Sequence, residues 1–115
     1  MNENLLQRLV GRELSSVEFV QDYVQLRFEG PSLTAITWPT IRVGQEISEV
    51  NSNGYRDKLC GLIRQTVRST LLIVDKEIRI EFDDGTLLLI SLAPEDYCAA
   101  EAAILTVSPR EWDVW

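Results

Sequence analysis

The stretch from Glu77 to Ser91, EIRIEFDDGTLLLIS, constrains this chain more than any other. Ile78, Ile80 and Phe82 alternate with Arg79 and Glu81, the pattern of a strand with one dry face and one wetter face. Asp84-Gly85 follows, a pair that tolerates the positive φ angles of a two-residue type I′ turn. Such a turn sets the register, with Phe82 opposite Leu87, Ile80 opposite Leu89 and Ile78 opposite Ser91. Leu88, Ile90 and Leu92 then point to the other face, so the returning strand is expected to be central and covered on both sides.

An earlier stretch repeats the pattern. Val24, Leu26 and Phe28 alternate with Gln25 and Arg27, following a strand over Glu13 to Val20 and a turn at Gln21-Asp22. Gly30-Pro31 is read as the next turn, with the glycine opening a type II′ geometry. Ser32 to Trp38 returns until Pro39, which has no donor for a ladder. Laid without a gap over Leu71 to Leu92, the segment Val17 to Trp38 matches Phe28 with Phe82, Val20 with Val74, Leu33 with Leu87 and Ile36 with Ile90. A short helix precedes each set of strands. Asn2 to Val10 carries Leu5, Leu6, Leu9 and Val10 and is closed by Gly11. Tyr55, Leu59, Leu62 and Ile63 recur at helical spacing behind an N-cap within Asn51 to Asn53. Gly61 inside that helix implies a close approach to the sheet, and Arg68 to Val74 is the next strand, turning at Asp75-Lys76.

These readings give one α+β, mostly β domain over residues 1–115, with a pseudo-repeat of 1–39 and 54–92. Two similar halves, each a helix plus three antiparallel strands, would form a curved sheet, a sandwich or a half-barrel. The segment 93–115 adds a loop or helical turn at Pro94 and a C-terminal hairpin, Ala103 to Ser108 and Glu111 to Trp115, turned by Pro109-Arg110. Thr40 to Gly54 is expected to be the least ordered connection.

Charge and composition narrow the function. The formal charge is −7 with no histidine, and the eleven Lys and Arg residues are scattered, so no basic stripe is available for nucleic acid. An acidic surface favours a basic protein partner. No run approaches the roughly 20 apolar residues of a spanning helix, and the start carries acid early, so a cytoplasmic protein without membrane contact is expected. Cys60 and Cys98 are read as small buried hydrophobes in a reducing compartment, with a disulfide between them left open. Lacking histidine, the chain lacks the commonest general base and zinc ligand. Asp83 and Asp84 are turn residues, and Asp22, Glu95 and Asp96 lie at turns or ends without calcium-loop spacing. No catalytic, cofactor-binding or metal-ligating residue is therefore assigned. The candidates for contact are Glu101, isolated in CAAEAAILTV, together with Tyr97, Trp38, Trp112 and Trp115.

The segments GRELSSVEFVQDYVQLRFEGPSLTAITWP, GYRDKLCGLIRQTV, IRIEFDDGTLLLISLAPEDY, EAA and WDVW resemble a family of short bacterial proteins of unknown function. That resemblance carries over no catalytic residue and implies an immunity or inhibitor role against a toxin. The leading expectation is a non-catalytic, acidic protein-interaction module. A small-ligand-binding β domain is the alternative, followed by an enzyme using carboxylates and Tyr97. A homodimer formed by edge-strand pairing is also open.

Overall fold

The computed structural model describes residues 4–97 and 99–115. Residues 1–3 and Cys98 lie outside the described residues, and so do the start of the expected first helix and the expected burial or pairing of Cys98. Among the described residues ten strands form two antiparallel sheets. In chain order they are β1 (Ser16–Val20), β2 (Tyr23–Arg27), β3 (Ser32–Ala35), β4 (Thr40–Val43), β5 (Glu46–Ser48), β6 (Val67–Ile73), β7 (Glu77–Phe82), β8 (Leu87–Ser91), β9 (Ala103–Ser108) and β10 (Glu111–Val114). A 3-10 helix spans Leu5–Leu9, helix α1 spans Tyr55–Cys60, and a second 3-10 turn spans Pro94–Asp96.

The strand order is β1-β2-β3-β9-β10 in one sheet and β5-β4-β8-β7-β6 in the other. Each half contributes a meander of three strands and then a hairpin, and that hairpin crosses over to finish the other half's sheet. Thus β9 pairs with β3, placing Leu105 beside Leu33, and β4 pairs with β8, placing Ile41 beside Leu88. The sheets face one another across a single core. Val24, Leu26, Phe28, Leu33 and Leu105 meet Ile41, Ile78, Ile80, Phe82, Leu88 and Ile90 there, all essentially inaccessible to water. At about 25 cal/mol per Å² of apolar surface removed from water, this shared core is the main favourable term holding the two sheets together.

The helical segments close the open sides of the sandwich. Leu6 and Leu9 of the first 3-10 helix are fully buried, and its Gln7 side chain donates to Thr70 of edge strand β6 at 3.1 Å. Arg8 of the same helix pairs with Glu111 of β10, the edge of the other sheet, at 2.9 Å. On the opposite side Lys58 of α1 donates to Ser48 of edge strand β5 at 2.9 Å, and Arg56 lies over Phe19 of edge strand β1. The segments leading from these helices meet in an antiparallel bridge between Glu13 and Thr66. Four hydrogen bonds surround it as two symmetric pairs. Gly11 N donates to Val67 O at 2.8 Å and Arg64 N to Leu14 O at 2.7 Å, while Leu14 N donates to Gln65 O at 3.0 Å and Val67 N to Arg12 O at 2.9 Å. The approximate two-fold axis passes through this bridge.

Several expectations are corrected. The turn after β7 has three residues, Asp83-Asp84-Gly85, because Phe82 N donates to Thr86 O and Gly85 N to Phe82 O, each at 2.9 Å. Gly85 takes the left-handed position (φ 90°) that follows the first turn, a geometry as compatible with Asp-Gly as the two-residue loop. The register therefore moves by one: Ile80 faces Leu88, Ile78 faces Ile90 and Glu81 faces Leu87. Such a slip exchanges the faces of a strand, so Leu88 and Ile90 are buried while Leu87 and Leu89 stand half-buried on the outer face beside Glu81 and Arg79. β8 is the central strand of its sheet, as expected. In the first half the turn is Glu29-Gly30, both at positive φ, and not Gly30-Pro31. With unequal turns on either side, the ungapped match holds only along β2 and β7, where Val24 corresponds to Ile78 and Phe28 to Phe82; before it Val20 corresponds to Ile73 and not Val74, and after it Leu33 corresponds to Leu88.

Thr40 to Gly54 is not a loop but holds β4 and β5, turned at Gly44-Gln45. Its strands are four and three residues long and bury little beyond Ile41 and Ser48, which leaves no apolar period to read. The N-cap of α1 is Gly54 at φ 76° with no side-chain cap bond, so Asn51 to Asn53 do not cap it. Gly61 ends that helix, and an added Cβ would meet the helix's own Asp57 carbonyl at 3.2 Å; the sheet is not what crowds it. Cys60 is an exposed free thiol, not a buried hydrophobe, because it lies on the outer side of α1 away from Tyr55 and Leu59.

Gly11 and Arg64 occupy equivalent places beside the axis, both left-handed, at φ 86° and 81°. Glycine takes that conformation freely, and an L residue is strained by it. A Cβ at Gly11 would touch nothing within 4 Å, so the cost of adding one is purely conformational. Gly11→Ala is expected to lower unfolding free energy by about 1 kcal/mol and Arg64→Gly to raise it by up to about 1 kcal/mol. Urea midpoints at unchanged m-value will read both.

Candidate interaction clefts at the crossover

The two sheets exchange chain at one end of the molecule. From β3 the chain passes through Ile36, Thr37, Trp38 and Pro39 into β4, and from β8 it passes through the Pro94–Asp96 turn into β9. These crossovers are tied together: Ile36 N and Thr37 N both donate to Ala102 O, at 2.8 and 3.0 Å. Trp115 N donates to Ala103 O at 2.9 Å, and Ala102 N donates to Trp115 O at 2.6 Å. From α1, the Tyr55 hydroxyl reaches across to donate to the Pro39 carbonyl at 2.5 Å. Proline follows Trp38 where the ladder must stop, and its carbonyl is satisfied from the other half of the chain.

Trp38 is half-buried and held by this frame. Its ring stacks on Phe19 with centroids 6.4 Å apart and planes 16° apart, and the Arg56 guanidinium carbon lies 4.9 Å from the Phe19 centroid. Beside Trp38 opens a cleft of about 410 Å³ lined by Thr37, Thr40, Glu49, Val50, Ser91 and Asp96. Ser91 Oγ donates to Asp96 Oδ2 at 2.6 Å, and Ala93 N donates to Ser91 Oγ at 3.2 Å. Thr37 is 7% exposed, and its hydroxyl oxygen has no hydrogen-bond partner.

A second cleft, about 230 Å³, is lined by Leu72, Val74, Asp75, Leu92, Tyr97 and Trp115. Asp96 and Tyr97 are neighbours in sequence, and they line different clefts: the acid the polar one, the ring the apolar one. Tyr97 and Trp115 also pack on the core. A third groove of about 310 Å³ runs between α1 and the β4–β5 hairpin. Its cation is already engaged, since Lys58 donates to both Glu46 and Ser48 and holds the Glu46 carboxyl below its ordinary range.

No family model, curated protein or solved structure matches the chain.

Of the five candidate contact residues, Trp38 lines the polar cleft, while Tyr97 and Trp115 line the apolar one. Trp112 lies apart from both, 59% exposed on edge strand β10 with Val114 on the same outward face. Glu101 is half-buried just before β9 and lines neither cleft. Thr37, Glu49, Ser91 and Asp96 also line the polar cleft, and their spacing in the sequence carries no motif that marks them. Among the described residues no three His, Cys, Asp or Glu side chains are grouped to hold a metal ion. No described helix is long and apolar enough to cross a membrane.

Burial of the Tyr55 ring and hydroxyl pushes its pKa well above the ordinary tyrosine value. The neutral phenol is thus preferred by the folded state. Its contribution is complete below about pH 10, where unfolded tyrosine begins to ionise, and is lost as pH rises from there at up to about 1.4 kcal/mol per unit. Tyr55→Phe is expected to cost about 1–3 kcal/mol near neutrality by leaving the Pro39 carbonyl unpaired. Denaturant titrations of both forms between pH 8 and about 11 should show a shallower alkaline loss in the variant.

Proposed function

We propose that this chain is a non-catalytic, acidic protein-interaction module whose partner presents a basic surface. The observation that carries the reading is the Trp38 cleft, where Glu49 and Asp96 line a wall beside an aromatic ring and no Lys or Arg is among the lining residues. Several other acids are answered within the chain: Glu77 by Arg79, Glu111 by Arg8 and Glu18 by Arg27. An excess of seven negative charges attracts a cationic partner over a Debye length of about 8 Å at physiological salt. It raises the rate of encounter more than the final affinity. An inhibitor that covers the cationic face of a toxin fits this description, and so does the resemblance to short bacterial proteins.

A second reading, a small-ligand-binding β domain, draws on the Tyr97–Trp115 cleft. At about 230 Å³ it lies below the roughly 300–1,000 Å³ of sites for drug-sized molecules, so only a compact apolar ligand would suit it.

Capture from a bacterial lysate followed by kinetics with the purified partner will test the leading reading. The expected partner is basic, with an association rate that falls at least about tenfold between low and high salt while the dissociation rate changes little. A stoichiometric small molecule in native mass spectra, with no salt-sensitive protein partner, would reverse the order of the two readings.

A further inference from the structure

We infer that the Trp38 cleft is the receptor for a single arginine side chain of the partner. This rests on the reading of the chain as an interaction module and assigns the contact to one place and one chemistry. Three observations converge. Among the described residues neither Glu49 nor Asp96 forms an ion pair, so two carboxylates line one cleft without a counter-charge. Thr37, nine-tenths buried, is among the lining residues and has a hydroxyl with no hydrogen-bond partner. Trp38 supplies the aromatic surface over which a cation is attracted by the ring quadrupole.

The number of acceptors favours guanidinium over ammonium. Asp96 Oδ2 already accepts from Ser91, which leaves Oδ1, both oxygens of Glu49 and the hydroxyl of Thr40 among the lining residues. A lysine ammonium has three donors, and an arginine guanidinium has five in a planar fork that also stacks on indole. A neutral polyol would satisfy the hydroxyls but leave the two carboxylates uncompensated. The groove at Lys58 suits a cation less well, because it already holds that lysine's charge beside Glu46 and Asp84.

The test uses the full chain, with the Trp38 indole N–H signal followed by NMR during titration with N-acetyl-argininamide, its lysine counterpart and its neutral citrulline counterpart. The arginine amide should shift the signal saturably, the lysine amide at least threefold more weakly, and the citrulline amide not measurably. Glu49→Gln and Asp96→Asn should each weaken arginine binding at least fivefold, whereas Trp112→Phe on the distant outer face should leave it unchanged. Citrulline binding as tightly as arginine, an unmoved Trp38 signal, or insensitivity to both acid variants would each overturn the inference. The two levels separate cleanly. If the basic partner binds with the expected salt dependence but the acid variants leave its affinity intact, the module reading stands and the arginine receptor falls. If the arginine amide binds at Trp38 and no salt-sensitive protein partner exists, the receptor stands and the module reading falls.

Discussion

The architecture depends on a mutual loan of backbone hydrogen bonds. β3 and β8 are the last strands of their own meanders, and each would be left with an open edge in the middle of its sheet. A row of buried, unpaired N–H and C=O groups is among the costliest things a fold can contain. β9 satisfies β3 and β4 satisfies β8, so each half completes the other's ladder before either has a finished sheet. The shared core follows from this. Phe28 and Phe82 come from equivalent places in the two halves and sit in one apolar cluster, so no boundary exists along which one sheet could loosen alone.

Function lies where the symmetry fails. The crossover from β3 to β4 is short and carries Trp38 and Pro39, while the one from β8 to β9 is longer and carries the Pro94–Asp96 turn. Two connections of unequal length over equivalent sheets cannot pack as two-fold-related copies. On the longer connection Asp96 lines the polar cleft and Tyr97 the apolar one. The frame beneath is rigid, because Ala102 accepts from both Ile36 and Thr37, and Tyr55 holds Pro39 from the opposite half. A cleft built on such a frame presents its groups in fixed positions, which limits the ordering cost of binding.

Much of the fold was legible in the chain. Val24, Leu26 and Phe28, and again Ile78, Ile80 and Phe82, alternate so regularly that strand and buried face could both be read, and all six are fully buried. The C-terminal hairpin and the helical turn at Pro94 were also readable from proline placement and β-branched residues. The register of β8 was not, because Asp-Gly serves two turn lengths and the choice rests on which carbonyl Phe82 N finds. Nor was the exchange of hairpins, since the alternation of a strand specifies a face and not a neighbour. The candidate site was the least legible part: Trp38 stands out by size, but Thr37, Glu49 and Asp96 gain meaning only from the crossover that gathers them. Cys60 illustrates the same limit, because helical spacing of only six residues leaves its face undetermined until Tyr55 and Leu59 are seen to be buried.

The segment from Glu49 to Gly54 joins β5 to α1 and carries little regular structure of its own. It nevertheless decides the order of the folding reaction. Exchange of hairpins between two separate half-length chains would be a bimolecular step, and its yield would fall on dilution. Joined by this short tether, each half meets the other at an effective concentration in the millimolar range. The interlock is thereby made first-order, so the chain can hold a dimer-like topology at any cellular abundance.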